Sequence, residues 1–497
     1  MACTLCADRG HMPTTQHYAT DAPAECDVAI IGGGFGGLMT LARLSQQAPK
    51  CQFVLFERMP RKAPGIAYGA CDDAHLLNVP AARMGVFAER PTGFHEWLER
   101  EFPGKYRSDD FAPRALFGRY LLESVQSVLA ETRACAAFVR DAVVHIEPLG
   151  RKFELLLASG RTVLARGVVL APGLPQARAP WRRVDEGIAR RLVVPDPWDQ
   201  GAFRGLDRDA GIVVVGSGLT AIDVIMGLRR QGHTGHITLV SRGGRLPLPH
   251  AASHGSPAVY DPRELSQGAV SAFRAVRRAA KTLLREGHDW QSAIDGVRPH
   301  ATAVWRAWSA ADRAYFLRVL RPFWEIHRHR APSMLLEAIE QECRAGTIEI
   351  VSGAVHALRA HGDREAEVLV RTAHGTLRPI VAARVVNCAG PSMSIGETLD
   401  PLIGSMLRNG LVASDDLGLG LRTDGDGALV RADGGVEPRM RLIGALRRGD
   451  LWETTAVPEL RAQALAIATS LARELGCGAA PPNAVEPAPL GAVGGCA

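Results

Sequence analysis

The chain has 497 residues, 46% of them hydrophobic and 22% charged, with a formal net charge of +6. That length fits about three domain-sized units, and the apolar content is enough for a large soluble core. The modest, dispersed charge gives no argument for nucleic acid, no run approaches the ~18 apolar residues of a membrane span, and the polar N-terminus lacks a signal core, so a cytoplasmic protein is expected.

Residues 1–25 read as a disordered leader. Their Cys3-x-x-Cys6 pair and His11 lack the further ligands a metal site needs, so no metal is expected. The apolar run from Asp27 then enters Gly32-Gly33-Gly34-Phe35-Gly36-Gly37 and a helical pattern from Leu38. A strand followed by GxGxxG and a helix is the dinucleotide fingerprint: Gly32 permits the turn, Gly34 admits the pyrophosphate and Gly37 lets the helix pack closely. Cys51 to Phe56 reads as the next strand, ending at Glu57. A carboxylate there suits a ribose diol and repels a 2′-phosphate, so this first site suits FAD or NAD, not NADP.

A long excursion follows, with Gly65-Ile-Ala-Tyr68, His75-Leu-Leu-Asn78-Val79-Pro80, and helical patches at 94–102 and 115–133. Strand-like segments at 142–146, 152–158 and 162–164 resemble a small meander, and Gly167 to Gly173 reads as a separate strand returning to the sheet. A second fingerprint then appears, Gly211-Ile-Val-Val-Val-Gly216-Ser217-Gly218-Leu219-Thr220-Ala221. Its following strand, His236 to Val240, ends in Ser241-Arg242 with no carboxylate. A hydroxyl beside a guanidinium is what a 2′-phosphate needs, which favours NADPH, with NADH possible; an ordinary surface arginine is the alternative.

Residues 262–345 carry helical periodicity and Trp290, Trp305, Trp308 and Trp324. Within them, His327-Arg328-His329-Arg330 is a basic cluster that could hold an anion, though a solvated surface cluster is the better explanation. Arg384 to Pro391 repeats the strand-to-glycine pattern, and Arg441 to Leu446 leads to a helix near Val457. Thr454 and Thr455 are candidate caps for that helix, and Pro458 and Glu459 suit its first turn. Its positive end would stabilise charge on a reduced flavin, though an ordinary capped helix is the better reading of the sequence alone. Residues 478–497, rich in Ala, Gly and Pro, read as a flexible tail.

The order of these motifs resembles the two-dinucleotide-binding flavoprotein superfamily. The strings Gly65-Ile-Ala-Tyr68, His75 to Met84 and Trp452 to Arg461 look like a bacterial FAD/NAD(P)-binding group that includes the FAD-dependent urate hydroxylase. The fold expected is α/β: two Rossmann-like dinucleotide-binding domains, plus a helical insertion at about 262–345. An FAD domain (26–204 and 381–477) would be interrupted by an NAD(P)H domain (205–380). By resemblance, Gly32, Gly34, Gly37 and Glu57 hold the ADP half of FAD, while Asn78, Val79, Arg83 and the segment Asp450 to Thr455 lie near its ribityl chain or ring. Gly216, Ser217, Gly218, Ser241 and Arg242 hold NADPH. The resemblance assigns no catalytic residue and leaves the oligomeric state open.

Disulfide reductases of this superfamily need a cysteine pair beside the flavin, and Cys51 and Cys71 stand too far apart to form one. The reading is therefore a monooxygenase using NADPH and O2 on a small substrate through a flavin C4a-hydroperoxide. Urate, giving 5-hydroxyisourate in purine degradation, is the first candidate. An amino-group N-hydroxylase and a slowly turning flavin redox sensor are the alternatives.

Overall fold

The computed structural model describes residues 21–59, 64–69, 72–175, 179–199, 201–251, 255–392 and 394–477. The expectations for Cys3, Cys6, His11, Cys71 and the tail beyond 477 fall outside these residues. The chain first lays down β1 (Glu25–Ile31), β2 (Gln52–Phe56), β3 (Cys135–Val139), β4 (Val143–Leu149), β5 (Lys152–Leu157) and β6 (Thr162–Leu170). It then builds β7 (Arg183–Val184), β8 (Val193–Val194), β9 (Ile212–Val215), β10 (Ile237–Ser241), β11 (Ile348–His361), β12 (Glu365–Thr372), β13 (Leu377–Ala382) and β14 (Arg384–Asn387). It returns with β15 (Ala428–Val430) and β16 (Val436–Leu442).

The first and last groups share one sheet, ordered β15-β16-β6-β1-β2-β3, with β5 also pairing β6 and carrying β4. The middle group forms a second sheet, β13-β12-β11-β10-β9-β14-β8, with β7 beside β11. The fold is thus α/β, one Rossmann-like sheet interrupted by another. β1 runs parallel to both β2 and β6, which explains its unbroken apolar run: a central parallel strand is covered on both faces. Parallel neighbours need a crossover, and the helix Phe35–Gln47 supplies it between β1 and β2. That helix packs Leu38 and Leu41 into one core with Ala464, Ile467 and Leu471 of the C-terminal helix Val457–Glu474.

Three features depart from the sequence reading. The second sheet recruits β7 and β8 ahead of the expected boundary at 205, and β14 beyond the one at 380. β14 pairs in parallel with β9, because a short buried apolar run fits either sheet and only its neighbours decide. β6 is one continuous strand, antiparallel to β5 and then parallel to β1, where two separate strands are expected. β3, parallel to β2, has no counterpart in the sequence reading.

The two units meet through the segment that precedes Asn78. Arg230, on the helix Leu219–Arg230, pairs with Asp72 at 2.9 Å and Asp73 at 3.1 Å. Asp223 of the same helix is buried and lies 3.2 Å from Arg114, whose Nε–H donates to the Leu76 carbonyl at 3.0 Å. Burial raises the Asp223 carboxyl to about 6, with Arg114 opposing the shift. Between the ordinary aspartate value and that one, the folded chain holds a proton that the unfolded chain releases. This group's contribution to stability therefore falls as pH rises through the window. Asp223→Asn removes that slope, so the variant gains about 3 kcal/mol on the parent between pH 4 and pH 7 in urea unfolding. Parallel pH curves for parent and variant would refute the assignment.

Candidate dinucleotide sites and the segment between them

The first glycine loop sits at the C-terminal end of β1, where parallel strands leave a crevice. Gly32 has φ +112°, and a Cβ there would overlap the Ala171 carbonyl at the end of β6. A Cβ on Gly37 would overlap the Gly32 carbonyl, so the helix approaches the loop at a distance only glycine permits. Gly34 differs: it is the helix N-cap at φ −78°, and a Cβ on it would meet nothing closer than Gly65 Cα at 3.7 Å. That helix has neither a side-chain cap nor an acidic residue in its first turn. Its free N–H groups and the open space at Gly34 fit a pyrophosphate.

Glu57 stands at the end of β2 beside this loop. Its Oε2 accepts from Gly33 N–H at 2.8 Å and its Oε1 from Met59 N–H at 2.7 Å. Each oxygen keeps a lone pair for a ribose hydroxyl.

The second loop repeats the construction. Gly216 has φ +113°, and a Cβ would overlap the Cys388 carbonyl beyond β14. Gly218 caps its helix with no side-chain bond, and a Cβ on it would meet nothing within 4 Å. Ser217 and Ser241 lie 2.9 Å apart through their hydroxyls. Ser217 donates to the Arg245 carbonyl at 2.6 Å, so Ser241 is the donor between the two hydroxyls. Arg242 is exposed, its carbonyl accepting from Ser352 at 3.3 Å. Arg245, overlooked in the sequence, lies three residues further on with its guanidinium 4.9 Å over the Phe323 ring.

Asn78 and Val79 belong to the bridging segment, where His250 Nε2–H donates to the Asn78 carbonyl at 2.9 Å. Arg83 is exposed on the short 3-10 turn Ala81–Arg83.

The helical insertion closes over residues 449–459. Trp305 Nε1–H donates to the Gly449 carbonyl at 2.7 Å, and its ring stacks on Trp452 at 4.9 Å. Trp452 has φ +61°, a conformation a bulky side chain adopts only under constraint. Thr302 donates to the Leu451 carbonyl at 3.1 Å. Arg298 clasps Glu459 through two bonds of 2.7 Å, offsetting an acidic charge in the first turn of the C-terminal helix.

One expectation for this segment is corrected. The helix N-cap is Ala456, without a side-chain bond, so neither Thr454 nor Thr455 caps it. The chain turns one residue later than the threonines require, leaving Thr455 exposed and the Thr454 hydroxyl buried with no partner. Asp450 Oδ2 accepts from the Thr423 N–H and hydroxyl, both at 2.8 Å, so this carboxylate organises the neighbouring loop. The unpartnered Thr454 hydroxyl and the uncapped helix end fit the polar edge of a flavin.

The two arginines of the basic cluster are withdrawn from solvent, whereas His329 is exposed. Arg330 is 5% exposed and donates to Asp295 at 2.6 Å, while its Nε and Nη1 have no partner among the described residues. Arg328 pairs with Glu453 at 3.2 Å, and Trp324 Nε1 is also buried without a partner.

Residues 29–175 match the model of an FAD-NAD(P)-binding family. No curated protein matches the chain in sequence. Among solved structures, an ornithine N-hydroxylase from Kutzneria sp. 744 is similar over 90% of this chain and 99% of its own, with a TM-score of 0.64 at 15% identity. The L-lysine 6-monooxygenase from Pseudomonas syringae is similar over 90% and 99%, with 0.59 at 15% identity. Thioredoxin reductase from Lactococcus lactis is similar over 91% and 99%, with 0.52 at 12% identity. The chain thus has the fold of these three structures, and its first glycine loop lies inside the segment that matches an FAD-NAD(P)-binding family.

Proposed function

We propose that the chain is an FAD-dependent, NADPH-consuming monooxygenase that hydroxylates the amino group of a small amine or amino acid. The observation that carries this reading is the helical roof. Trp305, Thr302 and Arg298 of the insertion all bond to the segment from Gly449 to Glu459, beside the uncapped helix end that suits a flavin. These bonds fix the segment beside the proposed flavin, and oxygen transfer needs a site from which water is excluded.

In this reading Gly32, Gly34, Gly37 and Glu57 hold the ADP half of FAD, with Asn78, Val79, Arg83 and the turn from Asp450 to Thr455 nearer the ring. Gly216, Ser217, Gly218, Ser241 and Arg242 hold NADPH. Bound flavin, once reduced by the nicotinamide, supplies the activation of O2. The protein positions the substrate's nucleophilic nitrogen and excludes water. The similarity to ornithine and lysine hydroxylases supports an amine over urate, for which neither the fold nor these relatives offers support. The unpartnered donors of Arg330 and Trp324 favour a substrate that also carries a carboxylate.

Purified, flavin-loaded chain consumes NADPH several-fold faster with ornithine or lysine than without, and hydroxylamine product accumulates. Stimulation by urate alone, with loss of its absorbance, returns the purine reading. A chain that no candidate substrate accelerates is a redox sensor instead.

A further inference from the structure

The thiols of Cys51 and Cys477 lie far apart in sequence and together in space. With an Asp27 oxygen, their sulfur atoms all fall within 4.8 Å of one another. Both residues are held by backbone. Cys51 N–H donates to the Ala48 carbonyl at 3.0 Å, in the turn leading into β2. Cys477 follows Gly476, whose φ is +66°, and its N–H donates to the Ala472 carbonyl at 3.0 Å, a Schellman closure of the C-terminal helix. Arg166 stands over the cluster, donating to Asp27 at 2.8 Å, to Cys477 Sγ at 3.6 Å and to the Leu475 carbonyl at 2.6 Å.

We infer that Cys51 and Cys477 form a peroxide-driven disulfide that ties the end of the C-terminal helix to the start of β2. The same three ligand atoms have the chemistry of a metal site, but a guanidinium already contacts two of them and would repel a cation. The pair is also not the dithiol of a disulfide reductase. It lies at the N-terminal end of β2, and Glu57 beyond the opposite end is roughly 20 Å away along the strand.

Exposure sets the order of events, since Cys477 is half-buried and Cys51 is buried. The Cys477 sulfur attacks hydrogen peroxide; the S–O bond forms, the O–O bond breaks, and the departing hydroxide takes the Cys477 thiol proton and leaves as water. Cys51 sulfur then attacks Cys477 sulfur; the S–S bond forms, the S–O bond breaks, and the departing hydroxide takes the Cys51 proton as a second water. Two thiols lose two electrons to one peroxide. Arg166 donates to the Cys477 sulfur and leaves it the more exposed of the two thiols, while burial pushes the Cys51 thiol up to about 12, so Cys51 acts as the resolving thiol.

The test is non-reducing peptide mapping of the full chain after stoichiometric peroxide. The expected result is a Cys51–Cys477 linked peptide pair, removed by dithiothreitol and missing from both Cys51→Ser and Cys477→Ser. The oxidised parent should melt roughly 5 °C above the reduced one, with neither variant showing the rise. Over-oxidised Cys477 beside unmodified Cys51, or Cys477 linked to another cysteine, would overturn the inference. So would one equivalent of Zn²⁺ bound by the reduced parent and by neither variant, with no linked peptide after peroxide.

Discussion

Gly34→Val yields a folded, soluble and colourless chain. The backbone at Gly34 is extended, at φ −78° and ψ −176°, which a β-branched residue adopts freely. The nearest atom to a Cβ there is 3.7 Å away, so the Cβ itself meets only ordinary van der Waals contact. The branched side chain instead fills the space over the uncapped helix end, where the pyrophosphate is proposed to lie. FAD affinity should fall at least ~100-fold, on the order of 3 kcal/mol. Gly37→Val supplies the contrast. Its Cβ would overlap the Gly32 carbonyl, so that chain loses its fold along with its colour. Absorbance at the flavin band and circular dichroism separate the two, and a fully loaded yellow Gly34→Val would refute the first site.

Arg242→Ala raises KM for NADPH by ~10- to 100-fold and changes KM for NADH little. A charge-assisted contact to a 2′-phosphate contributes about 1.5–3 kcal/mol and has no counterpart with NADH. Arg242 is exposed at the end of β10, next to the linked hydroxyls of Ser217 and Ser241. Arg245 is a poorer candidate because its guanidinium lies over Phe323. Equal losses with the two nucleotides would remove the phosphate role from Arg242.

The glycine loops were the most legible part of the chain, since each glycine answers to a local demand: a positive φ, a close helix or an open approach. Glu57 was legible for the same reason, as the residue closing the next strand. Long-range choices were not. The run at Arg384–Asn387 reads equally well in either sheet, and its pairing with β9 is decided by the rest of the fold. Asp450 looks like a ligand-facing carboxylate until Thr423, 27 residues earlier, takes it up. Arg328 and Arg330 read as solvated because their partners, Glu453 and Asp295, lie on distant segments. The Cys51–Cys477 pair lay beyond the sequence for the same reason.

The interrupted first sheet also sets a timetable for folding on the ribosome. All strands of the second sheet have emerged by Asn387, so that unit can complete its hydrogen bonding while synthesis continues. The enclosing unit cannot. β6 keeps an open edge until β16 arrives, and the helix Phe35–Gln47 lacks its partner until residues 457–474 are made. The inner unit therefore matures before the outer one. For most of translation, Leu38 and Leu41 have only a partial core to bury them, and a nascent chain stalled before β16 is the species a holding chaperone would capture.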